Sequence, residues 1–138
     1  MNNRFKFRVW DKITNQYLQE LGIYYWHIPY SLDGEEITGE ANLVGLSELL
    51  KHDNFVTQQY TGLNDNNDDP IYEGDILKNH YDVGNNIIGQ VLYEADHGGY
   101  IFQWKRKGRG QDYKNLNCDV AFESVIVGNI FEHSELLN

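Results

Sequence analysis

The chain has one cysteine, Cys118, so it cannot close an internal disulfide, and no cysteine and histidine cluster has the spacing of a zinc site. That usage fits a reducing, cytosolic setting. No run approaches the roughly 18 apolar residues of a membrane-spanning helix. The opening MNNRFKFRVW interleaves cations with aromatics instead of forming the apolar stretch of a signal peptide. The standard phosphate loop, the zinc-protease helix motif and the serine nucleophile elbow are all missing, which removes support from enzyme classes built on them. Internal repeats and low-complexity tracts are also missing. Cations are scarce: 11 Lys and Arg stand against 21 Asp and Glu, for a net charge of -10. Such a chain repels phosphate backbones at long range, which disfavours general nucleic-acid binding.

What remains is the composition of a small folded protein. With 41% hydrophobic and 14% aromatic residues the chain is too apolar for a disordered tail, while a mean hydropathy of -0.60 keeps it soluble. A length of 138 residues allows one domain, or two small modules sharing a core, and excludes a large multidomain enzyme.

The charge is strongly segregated. Residues 1–12 carry Arg4, Lys6, Arg8 and Lys12 against Asp11, a net +3, and residues 105–114 carry Lys105, Arg106, Lys107, Arg109 and Lys114 against Asp112, a net +4. Between them, residues 13–104 hold two cations and fifteen carboxylates, a net -13, and residues 115–138 add -4. If the two basic stretches meet in space, the surface is bipolar. If they do not, they pair with the acidic surface or stand as solvated hairpin edges, and screening over about 8 Å limits their reach.

Periodicity points to a mainly β protein. Phe5, Phe7 and Val9 alternate with Arg4, Lys6, Arg8 and Trp10, the period-two pattern of a strand with apolar and cationic faces. Turn residues at 11–15 and renewed β-branched and aromatic character over 17–28 make the first 28 residues a hairpin, with Asp33-Gly34 as the next turn. Leu46, Leu49 and Leu50 predict one short helix at 45–52, and 55–60 returns to strand. The Asn and Asp run at 64–70 predicts a surface turn and the best internal boundary, giving an N-terminal β-rich segment at 1–63 and a second module at 64–138 that shares its core. Strand-like runs follow at 71–78, 87–94, 100–105 and 124–130, with a fifth near 113–120, separated by turns at Gly84, Gly98-Gly99 and 108–110. Five short strands in about 60 residues match a small antiparallel barrel, whose closure removes exposed edges.

Candidate chemistry is sparse. Asp65, Asn67 and Asp69 fit the first three ligand positions of an EF-hand loop, but Pro70 takes its glycine position and Ile76 its bidentate glutamate, so the loop reads as a solvated turn. Glu94, Asp96 and His97, with His80 or Asp82 nearby in sequence, offer oxygen and imidazole donors. They are the only weak metal candidates, and the residual enzyme reading, a metal-dependent hydrolase, would rest on them. Cys118 pairs with no particular base and is expected to be buried. Lys105, Arg106, Lys107 and Arg109 with two glycines follow Trp104, a loop type that clamps phosphate while an aromatic stacks a base. Together with Arg4, Lys6 and Arg8, these residues are the candidate anion or nucleic-acid contacts.

Four segments occur in order: FRVWD, YTGLNDNNDDPIYEGDIL, GQVLY and VIVGNIFEHSELL. Together they resemble the YopX family of phage and prophage proteins over most of the chain. The strongest elements are Tyr60-Thr61-Gly62-Leu63, Ile71-Tyr72-Glu73-Gly74-Asp75-Ile76 and Gly128-Asn129-Ile130. The resemblance implies a β-rich N-terminal segment followed by an SH3-like barrel, and it brings no catalytic residues. Residues 27–52 depart most from the pattern, and Asp68-Asp69-Pro70 stands where a glycine-containing turn is usual. The motif reads as structural: Gly62 and Gly74 serve turns of positive φ, and Tyr60, Leu63, Ile71, Tyr72 and Ile76 pack where the two halves meet.

The expectation is therefore a mainly β (β-rich α+β) fold with an N-terminal hairpin region, a short helix and a small SH3-like barrel. Its function is expected to be that of a non-enzymatic phage or prophage accessory protein, a macromolecular interaction module in the cytoplasm of a bacterial host, without a cofactor. A host or phage protein is the favoured partner, with homo-oligomers allowed and no membrane role. The alternatives are a nucleic-acid-binding barrel using the basic residues of 4–8 and 105–109, or an acidic mimic of nucleic acid.

Overall fold

A computed structural model describes residues 6–20, 25–28, 42–82, 85–106, 108 and 110–138. The chain divides into two compact units, one of Phe5–Gln59 and one built on Tyr60–Asn138. The division lies between Gln59 and Tyr60, within a strand of ten residues.

In the first unit, β1 (Phe7–Asp11) pairs antiparallel with β2 (Gln16–Tyr17), a hairpin much shorter than the one expected over the first 28 residues, since the strands after Tyr17 join another sheet. Its turn is stapled by Asp11, whose carboxylate accepts the Ile13 N–H and the Thr14 hydroxyl, both at 2.9 Å. β3 (Gln19–Glu20), β4 (Tyr25–Ile28) and β5 (Asn42–Gly45) form a separate antiparallel sheet. The helix α1 (Leu46–Leu49) follows, a single turn within the expected span. β6 (Phe55–Asn64) pairs with β1 through its first half. Val9, Trp26, Ile28, Leu49 and Phe55 form the core of this unit. Strict alternation fails at the end of β1, where Val9, Trp10 and Asp11 are all buried. Trp10 is covered by Tyr17, with ring centroids 5.0 Å apart. The expected turn at Asp33-Gly34 lies outside the described residues.

In the second unit, β6 runs on to pair with β7 (Pro70–Tyr72) across an irregularity that contains Gly62, at φ 86°. β8 (Asp75–Asp82) begins after a tight turn at Glu73-Gly74, so the run expected as one strand over 71–78 is two. Gly74 takes φ 86°, and the Asp75 carboxylate accepts the Tyr72 N–H at 2.8 Å, which reverses the chain inside an apolar stretch. β9 (Asn85–Glu94), β10 (Gly99–Arg106) and β11 (Gly110–Asn115) follow, then α2 (Cys118–Phe122) and β12 (Ser124–Asn129). The expected turn at Gly84 lies outside the described residues. The strand expected over 113–120 stops at Asn115 and gives way to α2, because the Asn117 side chain caps the Val120 N–H at 3.0 Å.

The sheet order is β11-β10-β9-β8-β12, all antiparallel, an open series with β11 and β12 at its edges among the described residues. One face carries Leu77, Val91 and Phe102, and onto it pack Ile71 from β7 and Val120 and Ala121 from α2. Each large apolar side chain buried here contributes about 1.5–3 kcal/mol. Of the motif residues, Tyr60, Ile71, Tyr72, Asp75 and Ile76 are buried, and Leu63 packs against the cluster. Gly128 and Asn129 anchor the C-terminal segment. A β-carbon on Gly128 would lie 2.6 Å from the His133 ring, and the Asn129 side-chain oxygen accepts the N–H groups of Phe131 and Glu132 at 3.0 and 2.9 Å.

Candidate functional site

Arg8 and Arg106, from the two basic stretches, each have a partner within their own unit. In the first unit, Arg8 Nε donates to Gln58 Oε1 at 2.7 Å while its guanidinium lies 4.6 Å from the Tyr17 ring centroid. Tyr17 donates to the same Gln58 oxygen at 2.9 Å. Arg8 thus helps to hold β1, β2 and β6 together. Lys6 is half-buried, and Arg4 lies outside the described residues.

In the second unit, Arg106 Nη1 meets Asp112 Oδ2 at 3.3 Å across the β10–β11 hairpin. Lys107 and Arg109 lie outside the described residues. Trp104 and Lys105 are successive residues of one strand, so they face opposite sides of the sheet. Trp104 lies beside Phe102, with centroids 5.4 Å apart, and Lys114 Nζ lies 6.0 Å from the Trp104 ring centroid. Burial lowers the Lys114 pKa against a smaller opposing pull from Glu123, and its ammonium donates to Asn79 Oδ1 at 3.3 Å. Lys105 and Trp104 both border a cleft of about 220 Å³ lined also by Gln90, Gln103, Gln111 and Ser134.

The metal candidates are dispersed. His97 Nε2 lies 3.0 Å from the Tyr113 hydroxyl, and the two rings meet edge-on with centroids 4.8 Å apart. Asp96 is exposed beside it. His80 Nδ1 is engaged by Asn86 Oδ1 at 2.8 Å. Among the described residues, no group of three His, Cys, Asp or Glu side chains is placed to hold a metal ion.

The Asn and Asp loop is the surface turn its composition predicts, exposed at Asn64 and from Asn66 to Asp69, but one carboxylate points inward. Asp65 is only 5% exposed. Its Oδ1 accepts the N–H groups of Asn67 and Asp69, and its Oδ2 accepts that of Ile126, each at 2.9 Å. The carboxylate is spent on backbone donors that turn the loop and tie it to β12, and a buried charge is tolerated only when so satisfied. Asn66 adds two ties, its N–H to the Ser124 carbonyl at 2.8 Å and its amide to the Phe122 carbonyl at 2.9 Å.

These ties set the loop against α2 and leave a cleft of about 500 Å³ between them. Tyr60, Leu63, Ala121 and Phe122 supply its apolar surface, and Asn64, Asp65, Asn66 and Asp68 its polar rim. Phe122 is 70% exposed, although it is a large aromatic. α2 explains this: Val120 and Ala121 face the core and Ser124 and Asn79 bond beneath them, so Cys118 and Phe122 are left outside. Cys118 is accordingly exposed, not buried as expected, because it opens α2 on the cleft side. The sequence reading missed this site. The one local signal for α2 is Asn117 as a capping residue with Asp119 in the first turn.

A family model described as YopX protein matches residues 6–138 of the chain. No curated protein sequence matches significantly. Among solved structures, the crystal structure of protein EF1440 from Enterococcus faecalis superimposes with a TM-score of 0.53 at 21% identity, covering 96% of this chain and 97% of that one. At that identity the likeness speaks to the fold alone.

Proposed function

The chain belongs to the YopX family, and on that footing we propose that it is a non-enzymatic interaction module of phage or prophage origin, whose partner is a host or phage protein in the bacterial cytoplasm. We read its five-stranded sheet with α2 as SH3-like, and the partner seats in the cleft beside α2. The observation that carries this reading is Phe122, a large aromatic 70% exposed at the edge of a cleft with an apolar floor. Exposed aromatics in concave apolar surroundings are the side chains that dominate protein interfaces. The described residues that line the cleft are mainly apolar side chains and amides, with the Asp65 oxygens already engaged, and we read it as a docking surface.

The test is quantitative affinity capture from phage-infected cells with the natural chain, with Phe122→Asp and with Ile13→Asp as an exposed control. A partner retained by the natural chain and by the control, but lost with Phe122→Asp, supports the reading. Identical capture by all three sinks it.

A second reading, nucleic-acid binding, draws on Lys105 at the polar cleft with Gln90, Gln103 and Gln111. Anisotropy of labelled single-stranded DNA and RNA, with the natural chain and with Lys105→Ala, decides it. Binding must weaken as salt rises and fall with the substitution, since phosphate contacts release counterions.

A further inference from the structure

We infer, resting on the docking reading above, that the partner seated beside α2 presents a cationic segment with one apolar anchor. The anchor lies against Phe122 and Leu63, and the Lys or Arg residues flanking it meet Asp68 and Asp119. The cleft has the size of an ordinary ligand pocket, about 500 Å³. Tyr60, Leu63, Ala121 and Phe122 give it apolar surface and Asp65 and Asp68 give it carboxylates, and no Lys or Arg is among the described residues that line it.

The two carboxylates that line the cleft differ in role. Asp65 has both oxygens engaged by three backbone N–H groups, so it shapes the loop and is not offered to a ligand. Asp68 is exposed and accepts only from the Asn64 amide at 2.9 Å within the loop, leaving acceptor capacity toward solvent. Asp119 is exposed on α2, next to Cys118 but outside the cleft lining, where only a segment extending past the cleft would meet it. Screening over about 8 Å means that nearby carboxylates, not the net charge of the whole chain, select the ligand. A neutral or acidic apolar segment would find the same floor but a repelling or indifferent rim. Nucleic acid would find both an apolar floor and like charge.

The experiment uses the full chain and four synthetic peptides. One has a central Phe flanked by Lys; two others have Gln or Glu in place of the Lys; a fourth keeps the Lys and replaces Phe by Gly. Binding is read from amide NMR shifts of Gly62, Leu63, Ala121 and Phe122. The inference expects the Lys-flanked Phe peptide to bind at least tenfold more tightly than the Gln and Glu peptides. The Gly peptide should fail to bind, and affinity should weaken about tenfold between low and moderate salt. Asp68→Asn with Asp119→Asn should lower the affinity of the Lys-flanked peptide and leave that of the Gln-flanked one unchanged. Asn is tolerated at position 68, whose φ is 64°.

Equal, salt-insensitive binding of Lys and Gln peptides overturns the cationic inference while leaving the docking reading intact. Shifts on another surface, or none with any peptide, overturn the inference, and the capture experiment then decides the docking reading separately. Self-association of the chain through Phe122, or a labelled oligonucleotide that shifts the same amides, likewise overturns it.

Discussion

Asp65 and Ile126 lie 61 positions apart in the sequence, yet the Asp65 carboxylate accepts the Ile126 N–H at 2.9 Å. The other carboxylate oxygen closes the loop on Asn67 and Asp69. One side chain thus both shapes the loop and fixes the wall of the cleft against β12. Asp65→Ala leaves these donors without their acceptor, and the half-buried Ile126 N–H is the costliest of them. The expected loss is about 1–3 kcal/mol in urea denaturation. Asp65→Asn keeps one oxygen and should cost less. A change below about 0.5 kcal/mol for the alanine variant would show that the loop holds without the carboxylate.

Gly89 sits at the centre of the sheet, opposite Leu77 on one side and Trp104 on the other. A β-carbon there would lie 2.3 Å from the Gln103 carbonyl oxygen and 2.9 Å from the Phe102 ring. The ring can move, but the backbone of the adjacent strand cannot. Gly89→Ala should therefore destabilise by about 1–3 kcal/mol or more, as overpacking does. Adding Phe102→Leu should not restore the loss, because the closest clash is with the main chain. Recovery in the double variant would place the crowding at the ring instead.

The fold was legible where one face of a strand is buried and the other wet. In the run over 87–94, Val91 enters the core while Gln90 and Leu92 are only half-buried, whereas in 100–105 the neighbours Ile101 and Phe102 are both buried. The reversal at Glu73-Gly74 was hidden because Ile71, Tyr72, Ile76 and Leu77 are apolar on both sides of it. α2 was hidden because five residues are too few to show a helical period. The site was the least legible part. Its walls meet through contacts such as Asn66 to Phe122, 56 positions apart. The Arg8 guanidinium donates to the neutral amide of Gln58, fifty positions away, a contact that no local pattern predicts.

Tyr100 gives a pH dependence of defined sign. Burial first, then the nearby Glu73 and Tyr93, raise its phenol pKa above the ordinary 10.0. The folded chain then holds the proton where the unfolded chain has lost it. The stability contributed is complete below pH 10.0 and declines as pH rises through the folded value. Lys114, lowered by burial, acts in the opposite direction below its ordinary 10.5. Comparing melting temperatures of the natural chain and Tyr100→Phe from about pH 9 to 11 separates the two. The alkaline decline should be shallower in the phenylalanine variant. Superimposable profiles would mean that Tyr100 titrates alike in both states.

Cys118 links the chemistry of the cleft to a direct measurement. It opens α2, is exposed, and lines the cleft with Leu63, Ala121 and Phe122. Thiol reactivity follows access to the sulfur as well as ionisation, so an exposed thiol in the folded chain is modified without prior unfolding. One equivalent of a disulfide reagent should therefore react with the native protein at the rate seen in denaturant, within about tenfold. A large adduct at this position fills the cleft beside Phe122, so modification should abolish peptide binding there while leaving the melting temperature within a few degrees. A bound peptide should in turn slow the modification, because the two compete for one space. Reaction only after unfolding would put the thiol in the core, and unhindered reaction with peptide bound would move the docking surface away from α2.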